Sequence, residues 1–220
     1  IAGGLNAIRR EGDCLLVQAG ASLAAVAAFA RDEGLSGMAE LGGIPGTVGG
    51  GVLMNAGAYG AELAQLVTQA KGVSLSDGRR VIYPANRLDF AYRHSALMDA
   101  GVVITQATLA LTPGDPEAIR ARMEECAKAR REKQPLTLPS AGSTFKRPEG
   151  HFAAKLIDDC GLRGLTVGGA QVSEKHAGFI VNIGGATARD MLELMRQVEQ
   201  RVFEQTGVQL EPEVRILGED

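Results

Sequence analysis

Hydrophobic and polar positions along this 220-residue chain follow two periods, and the switches between them predict its elements. Residues 14–19, "CLLVQA", read as a strand. Residues 20–31 read as a helix: Ser22 suits its N-cap, and Leu23, Val26, Ala27 and Ala30 recur at helical spacing before Gly34 ends it. Beyond Gly60, "LVTQAKGVSL" and "RRVIYP" flank Ser76-Asp77-Gly78, a hairpin signal. Residues 101–111 are rich in β-branched side chains, and period two puts Val103, Thr105, Ala107 and Leu109 on one side.

The next helix opens on Asp115 as N-cap with Pro116 in its first turn. Ile119, Met123 and Cys126 share a face, and Pro135 stops it. A turn-rich stretch over 139–185 follows, closing with an apolar strand after Lys175 and His176. Thr187 and Asp190 then make a capping-box pattern, and Met191, Met195, Val198 and Val202 line a helix that Gly207 ends. "VQLEPEVRIL" reads as a last strand, with Gln209, Glu211, Glu213 and Arg215 opposite Leu210, Pro212, Val214 and Ile216. Helices mixed with hairpins, in no regular βαβ order, imply an α+β protein in two lobes, divided near residues 113–116.

Composition narrows the function. With 45% hydrophobic and 22% charged residues the chain suits a soluble globular protein. A net charge of −3, no Trp and only 4% aromatics argue against a nucleic-acid surface. The longest apolar run, "GASLAAVAAFA", is too short for a bilayer and meets Arg31-Asp32-Glu33. Cys14, Cys126 and Cys160 are widely spaced, and the three histidines stand at no ligand spacing. That disfavours a metal site or a disulfide framework and fits a reducing compartment. The chain opens on Ile1, and its first twenty residues read like the middle of a domain.

Four stretches could carry chemistry. Of the 29 glycines, eight crowd between Gly42 and Gly60 in "GGIPGTVGGGVLMNAGAYG". Neither G-x-G-x-x-G nor a P-loop pattern occurs there. Such density lets backbone amides cradle an anion, with Pro45 stiffening the loop and Thr47 and Asn55 adding hydrogen bonds; tight packing is the other account. In "LDFAYRHSA", Arg93 between Tyr92 and His94 suits a bidentate grip on a carboxylate or phosphate, or else a surface ion pair. In "PSAGSTFKRPEG", Ser143 follows Gly142 with no hydrolase triad or nucleophile elbow around it. A free serine is so weak an acid that it protonates only a strongly basic carbanion or enolate; the alternative is an ordinary loop serine. Glu213 and Arg215 could stabilise charge, or simply line a solvated strand face. His176 reads as a structural histidine.

Together these segments, with "AAKLIDDCGLRG", "VSEKHAGFIVN" and "LEPEVR" in this order, resemble the UDP-N-acetylenolpyruvoylglucosamine reductase family. The resemblance runs from about Cys14 to Arg215 and is to the shorter form, without an added tyrosine loop. It implies a cytoplasmic, monomeric flavoprotein with no metal, membrane or nucleic-acid partner. NADPH reduces FAD, and the flavin N5 delivers hydride to the β-carbon of UDP-N-acetylglucosamine enolpyruvate. Protonation of the resulting enediolate gives UDP-N-acetylmuramate.

By the motifs G-S-x-F-K, P-E-V-R and Y-R-x-S, the resemblance assigns Ser143 as proton donor and Glu213 and Arg93 as stabilisers of the enediolate. It places Gly46, Thr47, Gly49 and Asn55 at FAD, and Tyr92, Lys146 and Arg215 at the substrate. Residues 1–113 become the second lobe of a two-lobed FAD-binding domain, and 114–220 an α+β substrate-binding domain. The family's first flavin lobe is expected ahead of Ile1. A chain without it would hold FAD weakly or not at all, leaving a flavin-free UDP-sugar-binding fragment as the alternative function. A different flavin oxidoreductase of the same architecture would leave Ser143 and Glu213 without a role.

Overall fold

A computed structural model describes residues 4–218 and resolves two compact units, Ile1–Ala129 and Arg130–Asp220. The first contains β1 (Ile8–Glu11), β2 (Cys14–Gln18), α1 (Leu23–Asp32), β3 (Leu35–Ser36), α2 (Val48–Leu53), β4 (Gly57–Ala58) and β5 (Ala61–Glu62). It continues with β6 (Val67–Ser74), β7 (Arg80–Pro84), β8 (Val102–Ala110) and β9 (Thr112–Pro113), and α3 (Pro116–Lys133) then leads into the second unit. A five-stranded antiparallel sheet in the order β1-β2-β8-β6-β7 is the frame. Two short ladders, β3 with β9 and β4 with β5, lie outside it.

Local signals act as the sequence predicts. The Ser22 hydroxyl accepts the Ala25 N–H at 3.1 Å, and Leu23, Val26, Ala27 and Ala30 are the buried face of α1. Asp115 accepts from the amides of Glu117 and Ala118, both at 3.3 Å. The hairpin forms, closed where the Ser74 N–H meets the Arg79 carbonyl, with Gly78 at φ +70°.

Strand β8 departs from simple alternation. Lys71 pairs with Gln106 but Gly72 pairs with Ile104, so Thr105 is an extra residue. This bulge inverts the phase: Ile104, not Val103, shares the core with Ala107 and Leu109. Gly72 allows the close approach, because a Cβ there would lie 2.5 Å from Val102 Cγ1 and 2.7 Å from the Val103 carbonyl oxygen.

The glycine run also departs, since "VGGGVL" is helical. Three glycines make it an intrinsically poor helix, so packing rather than propensity creates it. Thr47 caps it through the Gly50 N–H, Val48 and Val52 are fully buried, and Gly51 packs on Leu63 and Leu23.

In the second unit, β10 (Ser140–Ser143), α4 (Ala153–Asp159), β11 (Thr166–Val167), β12 (Ala170–Val172) and β13 (Phe179–Asn182) precede α5 (Ala188–Thr206). Its antiparallel sheet runs β10-β13-β12-β11. Leu194, Met195, Val198 and Val202 of α5 join Ala170, Val172 and Ile180 in one core, with Met191 at its margin. Thr187 and Asp190 exchange capping bonds at 3.1 and 2.9 Å, and Gly207 ends the helix at φ +72°. The apolar strand expected after His176 is β13; β10, β11, β12 and α4 went unread in the sequence, because strands of two to four residues in a glycine-rich stretch carry almost no periodicity.

The expected strand over residues 208–217 does not form a ladder. It makes one bridge, Phe145 with Pro212, between the bonds Lys146 N–H to Glu211 carbonyl and Glu213 N–H to Thr144 carbonyl, each 2.8 Å. Pro148 and the turn at Gly150, φ +71°, then lead the partner segment away. Among the described residues no helix is long and apolar enough to cross a membrane.

Candidate active site

Within the first unit, two segments meet at the end of α2. Ala91 and His94 exchange both main-chain hydrogen bonds at 3.1 Å, which leaves Tyr92 and Arg93 at the tip of a tight turn. Arg93 sits at φ +53°, a left-handed conformation that is uncommon without glycine. Its guanidinium lies 4.8 Å from the Tyr92 ring centre and donates to the Gly57 carbonyl at 3.0 Å. The Ser95 hydroxyl donates to the Leu53 carbonyl at 2.8 Å, and Asn55 Nδ2 to the Ala91 carbonyl at 3.0 Å.

The four expected cofactor positions sit differently from one another. Gly46 is exposed, and a Cβ there would meet nothing within 4 Å. Thr47 uses its hydroxyl oxygen to accept from Gly50. Gly49 is explained by packing, since its Cβ would lie 2.9 Å from Ala19 Cβ. Asn55 is 0% exposed and uses both ends of its amide inside the protein, Oδ1 accepting the Ala64 N–H at 2.8 Å. The helix-opening amides of Val48 and Gly49 donate to the carbonyls of Ala21 and Ala19 at 2.8 and 2.9 Å. A phosphate nest on these two amides is therefore ruled out: they are already spent holding α2 against the sheet. Gly46 alone of the four is exposed, and its carbonyl accepts the Leu23 N–H at 3.1 Å.

Within the second unit, the backbone of Glu213 runs beside that of Thr144, the residue next to Ser143. Gly142, at φ +88°, accommodates a bulge between the pairs Ser140–Val181 and Ser143–Phe179 and leaves Ser143 exposed. Thr144, 4% exposed, is fixed on three sides. Its N–H donates to Gly178 at 2.8 Å, its carbonyl accepts from Glu213 at 2.8 Å, and its hydroxyl oxygen accepts the Ile180 N–H at 3.1 Å. Lys146 pairs with Glu211 at 3.1 Å on the surface. Arg147 stacks 4.0 Å over the Phe152 ring.

His176 supports this loop. Its Nδ1 accepts the Gly178 N–H at 3.1 Å and its ring meets Phe179 edge-on at 5.0 Å. Burial holds its pKa below the usual histidine value. The neutral ring with an accepting Nδ1 is thus the structural histidine expected. Among the described residues, no three His, Cys, Asp or Glu are placed to hold a metal.

Sequence reasoning missed Thr144 and Ser95, whose hydroxyls fix the backbone beside the candidate groups. Their signal was adjacency: each sits within two residues of a candidate side chain.

Residues 3–82 match the FAD binding domain family, and residues 134–217 match the C-terminal domain of UDP-N-acetylenolpyruvoylglucosamine reductase. The reductase of that name from Pediococcus pentosaceus is 48% identical over 216 residues, covering 98% of this chain and 72% of that protein. The chain belongs to the UDP-N-acetylenolpyruvoylglucosamine reductase family. Another member, from Limosilactobacillus reuteri, is 51% identical over 214 residues, covering 97% of this chain and 72% of its own. The crystal structure of the reductase from Thermus caldophilus superposes with a TM-score of 0.81 at 40% identity, covering 91% of this chain and 71% of that one. The family places the chain among flavin-dependent oxidoreductases and gives it an α+β fold with an FAD-binding domain and a reductase C-terminal domain.

Proposed function

We propose that this chain reduces UDP-N-acetylglucosamine enolpyruvate to UDP-N-acetylmuramate, with NADPH as reductant. The observation that supports the reading is the bond from the Glu213 N–H to the Thr144 carbonyl at 2.8 Å, which runs the backbone of the acid beside the residue next to Ser143. When bound, FAD supplies the hydride that reaches the β-carbon of the enolpyruvyl group.

The protein's residues have the remaining work. Residues 1–113 contribute part of the flavin domain, with Gly46 and Thr47 nearest the cofactor and Gly49 holding α2 in place behind them. Residues 114–220 form the substrate-binding domain, to which Tyr92 and Arg93 add from the first unit. Arg93 and Glu213 orient the enolpyruvyl carboxyl and stabilise the enediolate, each worth a few kcal/mol (about 3) of barrier if preorganised. Ser143 Oγ–H passes its proton to the α-carbon. A neutral hydroxyl suffices as acid because the enediolate carbon is strongly basic, and it does not repel the cations that bind the pyrophosphate.

Tyr92, Lys146 and Arg215 contact the substrate. The Lys146–Glu211 pair is exposed, with 45% and 69% of the side chains accessible, so it is weak enough for the ammonium to be shared with a phosphate.

The test is rapid mixing of flavin-loaded protein. Ser143→Ala is expected to leave NADPH-driven flavin reduction within about twofold of normal while slowing reoxidation by the enolpyruvyl substrate at least about a hundredfold. Equal loss in both half-reactions would refute the assignment. A preparation with no flavin absorbance that still binds a UDP-sugar would instead establish the flavin-free alternative.

A further inference from the structure

We propose that Asn55 is a positioning residue for Arg93, acting through the Tyr92–Arg93 turn rather than as a contact to a bound cofactor; this rests on the role given to Arg93 above. Ser95, Asn55 and Arg93 each make a hydrogen bond between the turn and residues 53–57, with Asn55 the middle of these. Ser95 reaches Leu53, two residues before Asn55, and Arg93 reaches Gly57, two residues after it. Asn55 Nδ2 takes the Ala91 carbonyl, the same oxygen that accepts the His94 N–H and so closes the turn.

The geometry favours asparagine on two counts. Its backbone is left-handed, φ +43°, where Asn is tolerated better than most residues. Its side chain must also donate at one end and accept at the other, since Oδ1 holds the Ala64 N–H at 2.8 Å. With 0% exposure it offers no surface to a ligand unless the turn moves. The donor therefore serves the turn. Arg93, itself held left-handed at φ +53°, depends on that turn for the direction in which its guanidinium leaves the backbone.

Asn55→Asp separates the accounts. It keeps the acceptor for Ala64 but sets an oxygen against the Ala91 carbonyl. In flavin-loaded protein, reoxidation at saturating enolpyruvyl substrate is expected to slow about tenfold to a hundredfold, the scale of a misplaced catalytic group. Flavin affinity and NADPH-driven reduction are expected to stay within about twofold.

In an Arg93→Ala background, the same change is expected to alter reoxidation less than about twofold, because its target is gone. In the flavin-free chain, hydrogen exchange at the His94 amide is expected to accelerate about tenfold, by loss of a local restraint.

Flavin binding weakened tenfold with the half-reactions otherwise normal would overturn the proposal and make Asn55 a cofactor contact. Equal slowing in both backgrounds would also overturn it. If Arg93→Ala itself leaves reoxidation unchanged, the role of Arg93 fails first and the two failures are told apart. Should Asn55→Asp not fold, Ser95→Ala, which removes the adjoining bond to Leu53, carries the same expectations.

Discussion

The main-chain N–H of Glu213 donates to the carbonyl of Thr144 at 2.8 Å, which ties the acid to the residue beside Ser143. The bulge at Gly142 removes a main-chain acceptor from β13, and the Thr144 hydroxyl takes over by accepting from Ile180. Thr144→Val keeps the volume and leaves that amide buried without an acceptor, which costs about 1–3 kcal/mol. The expected result is a lower denaturant midpoint together with slower substrate-driven flavin reoxidation. Thr144→Ser should restore both, and a serine variant as slow as valine would show that the hydroxyl is not the reason.

Two glycines of α2 should respond oppositely to alanine. At Gly49 the added Cβ lies 2.9 Å from Ala19 Cβ and 3.2 Å from the Ala19 carbonyl oxygen, so overpacking of about 1–3 kcal/mol outweighs the gain in helix propensity. At Gly50 the nearest atom is Thr47 Oγ1 at 3.7 Å, and alanine should stabilise by about 0.5–1 kcal/mol. Thermal melts of the two variants should shift in opposite directions.

Acid should weaken the fold through His176. Burial lowers its folded pKa below the ordinary 6.5, so between those two values the unfolded chain binds more protons. Stability from this group is full above the ordinary value and falls as pH drops towards the folded one. Melting temperature followed from pH 7 to pH 5 should decline, and His176→Asn, which keeps an acceptor for Gly178, should decline less. Parallel slopes would remove His176 as a cause.

What could be read in the sequence was local. Ser22, Asp115, the Thr187–Asp190 pair and Gly207 mark helix ends with their own side chains or lack of one, and these marks held. The helix Val48–Leu53 was hidden because its glycines oppose helix formation and only the surfaces of Ala19, Leu23 and Leu63 reward it. The bulge at Thr105 was hidden because alternation cannot reveal an extra residue whose partner lies over thirty positions away. Ser143 and Glu213 were legible as motifs. The bond that runs Glu213 beside Thr144 was not, since it depends on a carbonyl and an amide that every residue carries. Asn55 was legible as polar, but not as buried.

The segment bearing Glu213 follows Gly207 and is secured through Leu210 and the bonds to Thr144 and Lys146. Leu210 is buried in the same core as Leu194, Val198 and Val202, three positions before Glu213. Closing that core therefore seats the carboxylate's segment in the same event, so the scaffold and its acid are delivered together.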